Sequence, residues 1–262
     1  MDVDSYLRRI GYEGSREPSA AALRGLHRRH LFTVPFENLD ILLGTPIILD
    51  IERICDKIVT RHRGGFCYEL NGLFCALLRA LGFRVEMLCA RVRREDGGFG
   101  PEFDHMLLKV ELDEPWLVDV GFGDSFVDPI VFRAGGADQV NGHRYSVVPV
   151  EDEWQLLRED DKGRVPLYAF RDVPHELSEY GEMCTFHQTS PESHFGKNWI
   201  CSRATPDGRI TIANRRLIVT HGTDREEREL RSEEELRRCL DELLGVKLDA
   251  SAELSRLLRT GT

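Results

Sequence analysis

Residues 63–82, RGGFCYELNGLFCALLRALG, carry the clearest structural pattern in the sequence. Within them, apolar residues recur at the spacing of one helix face: Phe66, Leu70, Leu73, Phe74, Leu77, Leu78 and Leu81. Gly82 follows the last of these, and glycine is common just past a helix end. The pattern predicts an amphipathic helix over Phe66–Leu81.

The chain before this helix is also helical in pattern. Ser19 is a good N-cap after Pro18, and Ile51–His62 carries a second apolar stripe. After the helix come short runs separated by Gly, Asp and Pro, which predict a barrel or a curled sheet. These runs are Arg84–Val92, His105–Leu112, Trp116–Val120, His143–Pro149 and Trp154–Arg158.

The last third of the chain is mixed. Pro206-Asp207-Gly208 predicts a hairpin between Trp199–Thr205 and Arg209–Val219. Ser232 and Glu235 form a capping box, which predicts a helix after them.

Composition sets the broad class. The 262 residues (30.0 kDa) are 41% hydrophobic and 31% charged, which is typical of globular proteins. No apolar run approaches the ~18–20 residues that cross a membrane, and the acidic N-terminal residues lack an apolar signal core. We therefore expect a cytoplasmic protein without a membrane partner. The net charge of −10 argues against a nucleic-acid binder.

The seven cysteines form no CxxC pair, so we expect reduced thiols and no metal site. Cys67 stands out because it falls in the first turn of the predicted helix, after Arg63-Gly64-Gly65. Unpaired N–H groups and the helix dipole favour a thiolate there. The alternative is an ordinary core cysteine, as expected for Cys75 in the middle of the apolar stripe.

A thiolate nucleophile needs a base and a group that orients the base. Most histidines, His27 and His30 among them, lie in polar stretches, whereas His105 opens a predicted strand and Asp119 lies in the next one. If residues 113–115 form the hairpin loop, His105 and Asp119 share the non-core face but are offset by four positions, roughly 13 Å. In the alternative interpretation, Asp119 makes no contact with His105 and instead pairs with Lys109 across the strands.

Two further stretches keep both a structural and a binding interpretation. Val120-Gly121-Phe122-Gly123 is either a strand end turning into a loop or a place where glycines admit a pyrophosphate or a bulky substrate. Arg91-Val92-Arg93-Arg94 is either a solvated strand edge or a seat for a phosphate-rich ligand.

Six stretches together resemble the arylamine N-acetyltransferases of bacterial type. They are VPFENL (34–39), RGGFCYELN (63–71), FDHMLLKV (103–110), LVDVGFGDSF (117–126), SPESHF (190–195) and GRITIANRRLI (208–218). The resemblance runs along the chain to about residue 219.

The resemblance implies an α+β fold of three parts around a cysteine triad like that of transglutaminases and papain. We expect a helical bundle with the nucleophile (1–85), a β-barrel-like domain with the base and the acid (86–190) and an α/β lid (191–262). Cys67, His105 and Asp119 occupy the triad positions, so the offset calculated above must be wrong in register or closed by distortion.

The resemblance also implies ping-pong acetyl transfer from acetyl-CoA, without a metal, to arylamines, arylhydrazines and N-hydroxyarylamines through an acetyl-cysteine. By the motif match, the pocket for the acceptor amine is lined by Phe36, Val92 and Phe122. The CoA moiety is expected near Gly121, Gly123 and Phe195. Arg94 departs from the family, whose bacterial members often carry tryptophan there.

Three alternatives stay open: a macrolactam-forming amide synthase with the same triad and fold that is fed by a carrier thioester, a thiol hydrolase with the same triad that releases acid to water, and an inactive binding module that keeps the fold. The sequence leaves the preferred amine, the acyl-chain length and the oligomeric state open.

Overall fold

The computed structural model describes residues 1–140, 142–160 and 163–258. The α-helices in these ranges are α1 (Val3–Ile10), α2 (Ala20–Leu31), α3 (Leu39–Leu43), α4 (Ile51–Cys55), α5 (Cys67–Ala80), α6 (Gly181–Thr189), α7 (Glu233–Glu242) and α8 (Ser255–Leu258). A π-helical turn, Asp56–Thr60, continues α4, and 3₁₀ turns cover Leu177–Tyr180 and His194–Gly196. The predicted long helix is therefore α5, with Phe66 as its N-cap.

The strands are β1 (Phe36–Glu37), β2 (Arg84–Val92), β3 (His105–Glu111), β4 (Pro115–Val118), β5 (Ile130–Val131), β6 (Ala137–Val140), β7 (His143–Val150), β8 (Glu153–Asp160), β9 (Gly163–His175), β10 (Ile200–Thr205), β11 (Gly208–Ala213), β12 (Arg216–His221) and β13 (Asp224–Glu229). Eight of them form a nearly closed, barrel-like sheet in the order β5-β4-β3-β2-β9-β8-β7-β6. The other five form the sheet β1-β10-β11-β12-β13.

The C-terminal sheet differs from its prediction in two ways. The run predicted as one strand, Arg209–Val219, is two strands, because the chain turns at Asn214 with a left-handed φ of 52°. The sheet also takes its first strand, β1, from the N-terminal part of the chain, where Phe36 pairs with Ser202. The C-terminal sheet is thus joined by hydrogen bonds to the segment that precedes Cys67.

The hairpin that carries His105 and Asp119 has a different register from the predicted one. Val110 pairs with Trp116 and Glu111 with Pro115, so the loop is 112–114 rather than 113–115. Pro115 can open β4 because a proline, which lacks an N–H, is tolerated at the first position of a strand. The shift of two residues halves the offset between His105 and Asp119 to two positions, roughly 7 Å.

Both faces of this hairpin are buried, so the predicted non-core face is wrong. Met106 and Leu108 pack on the helical bundle, whereas Leu107 and Leu117 belong to the core inside the curled sheet. A polar side chain on the second face is therefore enclosed and needs hydrogen-bond partners.

A network of buried charges lies under the start of α5. Lys57 Nζ lies 2.8 Å from a carboxylate oxygen of Asp40 and of Glu69, and Arg63 binds Glu37 and Asp40 at 2.8 and 2.7 Å. Burial lowers the pKa of Lys57, but the three surrounding carboxylates outweigh it and raise the pKa above its ordinary value. The network ties β1 and α3 to the residues that lead into Cys67.

Lys57→Met is expected to lower the free energy of unfolding by about 3–5 kcal/mol, because it leaves buried carboxylates without a counter-charge. Urea denaturation of the purified protein measures this change. The matched control is Arg61→Met, which removes a surface pair with Asp56 whose Arg61 side chain is 50% exposed. The control substitution should lower the free energy of unfolding by at most about 1 kcal/mol. Equal losses of stability in both variants would contradict a stabilising role for the buried Lys57.

None of the helices in the described part of the chain has the length and apolar content needed to cross a membrane.

Candidate active site

Cys67 is the first residue of α5 and is only 3% exposed. The helix start is held by Glu69, whose carboxylate accepts the Phe66 N–H at 3.1 Å and the Lys57 ammonium at 2.8 Å. The N-cap position is therefore fixed by a side chain that is itself part of the buried charge network.

The glycines before Cys67 have a structural reason. A β-carbon at Gly64 would overlap the Pro35 carbonyl oxygen, and one at Gly65 would lie 2.8 Å from Glu69 Cβ. Gly65 also accepts the Glu37 N–H at 2.8 Å. Both glycines thus permit close packing within the chain, Gly64 against the Pro35 backbone and Gly65 against the Glu69 side chain.

His105 and Asp119 are in direct contact. His105 Nε2 lies 2.8 Å from Asp119 Oδ2, and both residues are 2% exposed. The chain leaves the β3–β4 ladder after Val118, which brings the Asp119 carboxylate toward His105. The alternative pairing of Asp119 with Lys109 does not occur, since the Lys109 ammonium instead binds Glu86, Glu111 and Asp172.

Asn71 joins the helix of Cys67 to this pair, and sequence reasoning missed it. Its amide nitrogen donates to Asp119 Oδ1 at 3.0 Å and to the Met106 carbonyl at 2.6 Å, and its oxygen accepts the Val120 N–H at 2.9 Å. The signal was present, because Asn71 follows Cys67 by one helical turn and is a polar residue within a buried helix.

His27 is a second missed residue. It is fully buried, contrary to the prediction from its polar neighbours, because it lies on the inner face of α2. Its Nδ1 lies 2.8 Å from the Val127 carbonyl oxygen and its Nε2 lies 3.3 Å from the Asp119 backbone nitrogen. A neutral ring that donates from Nδ1 to Val127 and accepts the Asp119 N–H at Nε2 holds the backbone of Asp119; Nε2 also lies 3.2 Å from the Asp119 carbonyl oxygen.

Burial dominates the electrostatics of Cys67. It raises the pKa of the thiol well above its ordinary value, the Asp104 and Asp119 carboxylates raise it further, and a hydrogen bond from the Met106 backbone lowers it. The predicted stabilisation of the thiolate by the helix start is outweighed. Forming the thiolate therefore requires a neighbouring base to accept the proton.

Asp119 remains ionised in the same surroundings. Burial raises the pKa of its carboxyl, but the interaction with His105 and the hydrogen bonds from Asn71 and the Gly121 N–H outweigh burial and leave the pKa below its ordinary value. An ionised, hydrogen-bonded carboxylate fixes the imidazole tautomer, because Nε2 must carry the proton that it receives.

The loop after Asp119 packs against the start of α5. A β-carbon at Gly121 would lie 2.8 Å from Cys67 Cα, and Gly123 has a φ of +91° that disfavours other residues. Phe122 packs edge-on against the His105 ring, with centroids 5.3 Å apart. Both glycines thus have structural reasons to be glycine.

Two residues predicted at the site, Phe36 for the acceptor pocket and Phe195 for the CoA moiety, pack near Phe66, the residue before Cys67. The Phe195 ring lies 6.3 Å from that of Phe36 and 6.2 Å from that of Phe66, centroid to centroid. Val92 ends β2 and is joined to this region through Asp104, which accepts its N–H at 3.3 Å.

Within the Arg91–Arg94 stretch, the contacts of Arg91 favour the strand-edge interpretation. Arg91 pairs with Glu153 and lies over the Phe99 ring at 5.7 Å. Its charge is thus matched within the chain.

Comparison with known proteins decides the family. A family profile described as N-acetyltransferase matches residues 19–253. Two curated relatives are the arylamine N-acetyltransferases of Mycolicibacterium smegmatis (36% identity; 84% of this chain and 82% of the relative) and Escherichia coli K12 (34% identity; 94% and 89%). The chain belongs to the arylamine N-acetyltransferase family. Among solved structures, the Mycobacterium marinum arylamine N-acetyltransferase in complex with CoA superposes with a TM-score of 0.90 at 31% identity, covering 98% of this chain and 97% of that one.

The family assignment confirms the resemblance and the α+β fold class predicted from the sequence. The arylamine N-acetyltransferase fold brings together residues from α2, α5, the β3–β4 hairpin and the following loop. No group of three or more His, Cys, Asp or Glu residues suited to a metal occurs in the ranges that the structure describes.

Proposed function

We propose that this chain transfers the acetyl group of acetyl-CoA to arylamines through an acetyl-Cys67 intermediate. The observation that carries the proposal is the hydrogen bond of 2.8 Å between His105 Nε2 and Asp119 Oδ2. The two residues lie beside the start of α5, which bears Cys67. The names of the relatives supply the substrate class.

In the first half-reaction, His105 takes the thiol proton at Nδ1, since Nε2 is engaged by Asp119. The Cys67 sulfur attacks the thioester carbonyl carbon, and the unpaired N–H groups of the first turn of α5 stabilise the oxyanion. The bond from carbon to the CoA sulfur then breaks, and CoA leaves as a thiol with the proton from His105.

In the second half-reaction, the amine nitrogen attacks the carbonyl carbon of acetyl-Cys67. His105 accepts the proton that the nitrogen loses, the carbon–sulfur bond breaks, and the sulfur recovers a proton from His105. Arylhydrazines and N-hydroxyarylamines present similar nucleophilic nitrogens, so we include them as acceptors.

We assign the acceptor lining to Phe36, Val92 and Phe122, because flat apolar walls suit an aromatic ring. Gly121, Gly123 and Phe195 would adjoin the pantetheine and the pyrophosphate. Beside the Gly123 loop lies a cleft of about 690 Å³ lined in part by Asp124, Ser125 and Arg209, whose guanidinium is paired with Asp124 at 3.2 Å.

The proposed division of labour follows the segments 1–85, 86–190 and 191–262 as bundle, barrel-like domain and lid. We retain a cytoplasmic location as part of the proposal.

The experiment is intact mass spectrometry after the protein is mixed with acetyl-CoA without an acceptor. We expect one acetyl group, localised to Cys67 by peptide mapping and lost on addition of an aromatic amine. An unmodified protein whose Cys67 still reacts with iodoacetamide would contradict the proposal and favour a carrier-fed amide synthase. Discharge to water as fast as to the amine would favour a hydrolase.

A further inference from the structure

Asp104 is a half-buried carboxylate that directly precedes His105 and that the mechanism above does not use. Its Oδ2 accepts the Val92 N–H at 3.3 Å, and its Oδ1 lies 3.5 Å from His187 Nε2, which is longer than a normal N–H···O bond. A carboxylate offers about four acceptor positions. Asp104 therefore retains capacity to accept a further hydrogen bond.

His187, on α6, is the partner of Asp104 and is only 6% exposed. Within the described residues, neither of its ring nitrogens has a hydrogen-bond partner of normal length and geometry. The ring is enclosed by aromatic neighbours, with centroids 6.0 Å from Tyr68 and 5.2 Å from Phe195. Buried polar groups without partners are rare in folded proteins and call for a reason, such as a ligand.

The pair lies next to the nucleophile. The carboxylates of Asp104 and Asp119 both raise the pKa of the Cys67 thiol. The Phe195 ring connects the two places, because it packs on His187 and also on Phe66, the residue before Cys67. Through Tyr68 and Phe195, His187 therefore adjoins the residues on both sides of Cys67, where the acceptor must place its nitrogen.

Burial favours the uncharged form of His187. It lowers the pKa of the ring, and Asp104 opposes this shift through its carboxylate and its backbone carbonyl. A neutral ring with its proton on Nε2, toward Asp104, keeps Nδ1 as an acceptor. The pair thus offers acceptor atoms and little surplus donor capacity to a bound molecule.

We propose that Asp104 and His187 form the polar end of the acceptor site and select arylamines that carry a second hydrogen-bond-donating group, such as aminophenols. The proposal rests on the proposed function, because it concerns the acceptor half-reaction. A phenolic hydroxyl donates to the pair, whereas a methoxy group in its place leaves the buried acceptors unpaired.

The test compares kcat/KM for 4-aminophenol and 4-methoxyaniline, whose amines have similar intrinsic nucleophilicity. The wild type should prefer 4-aminophenol by about 10–100-fold. Asp104→Val and His187→Phe should each reduce this preference to within about threefold, while turnover of 4-methoxyaniline and acetylation of Cys67 continue. His187→Phe keeps a planar aromatic ring and lies outside the strand of His105, so it remains informative if Asp104→Val misfolds.

The matched control is His221→Phe, which breaks a surface His–Asp pair with Asp207 at 3.2 Å and should leave the preference unchanged. A wild-type ratio near one, or a ratio unaltered in both variants, would overturn the acceptor-selection proposal while the acetyltransferase activity stands. Absence of acetyl-Cys67 in the wild type would instead overturn the proposed function together with this inference.

Discussion

Cys67→Ala is expected to lower kcat/KM for arylamine acetylation by about five to six orders of magnitude, since removing the nucleophile of a catalytic triad has an effect of that size. Of the seven cysteines, all of them in the described ranges, Cys67 is the one that begins α5, so we expect no other thiol to take its place. Alanine fills most of the volume of cysteine and is favourable in a helix, so the fold should persist with a loss of about 1 kcal/mol. Turnover assays and thermal unfolding of the same preparation measure both effects.

Cys75→Ala is the matched control for this variant. Cys75 is buried on the same helix, two turns after Cys67, and burial raises the pKa of its thiol to about 11. We expect near wild-type turnover and a similar small loss of stability. Retained acetylation by Cys67→Ala, or an equal loss of turnover in Cys75→Ala, would contradict the covalent mechanism.

The helix that begins at Cys67 was predictable because its signal is local. The apolar residues from Phe66 to Leu81 keep the same helical spacing throughout those sixteen residues. Gly65 precedes the stripe and Gly82 follows it. The placement of Cys67 in the first turn follows directly. Its electrostatics did not follow, because they depend on burial by segments that come from elsewhere in the chain.

The contact between His105 and Asp119 was predictable only through the resemblance. Binary patterning fixes which residues share a face, but a register shift of two residues leaves every face unchanged. The pattern therefore could not distinguish a loop at 113–115 from the observed loop at 112–114. The family motif supplied the pairing that periodicity leaves open.

The site residues that the sequence did not predict are brought together by contacts between distant segments of the chain. Asn71 and His27 reach Asp119 across 48 and 92 residues of sequence, and the Asp104–His187 pair spans the sheet and α6. The sequence analysis also missed the long strand β9. This strand contains Pro166 and Pro174, and proline usually argues against a strand.

Asp119→Asn is expected to lower kcat by about 10³–10⁴-fold with the fold intact. The amide oxygen can replace Oδ1 and accept from Asn71 and Gly121, which places the amide NH₂ opposite His105 Nε2. Nε2 must then accept rather than donate, so the proton moves to Nδ1, the nitrogen required as the base. Turnover and the rate of Cys67 acetylation measure the loss, and a loss of turnover without a loss of acetylation would contradict this role.

Thermal unfolding against pH separates this catalytic effect from a structural one. The folded pKa of Asp119 lies below its ordinary value, so the ionised carboxylate stabilises the fold above the unfolded pKa and this contribution fades as pH falls through the folded pKa. The difference in Tm between wild type and Asp119→Asn should therefore narrow below pH ~4, while the difference in kcat at neutral pH persists. A Tm difference that is constant from pH 3 to pH 8 would mean that Asp119 is not ionised in the folded protein, and the tautomer argument would fail with it.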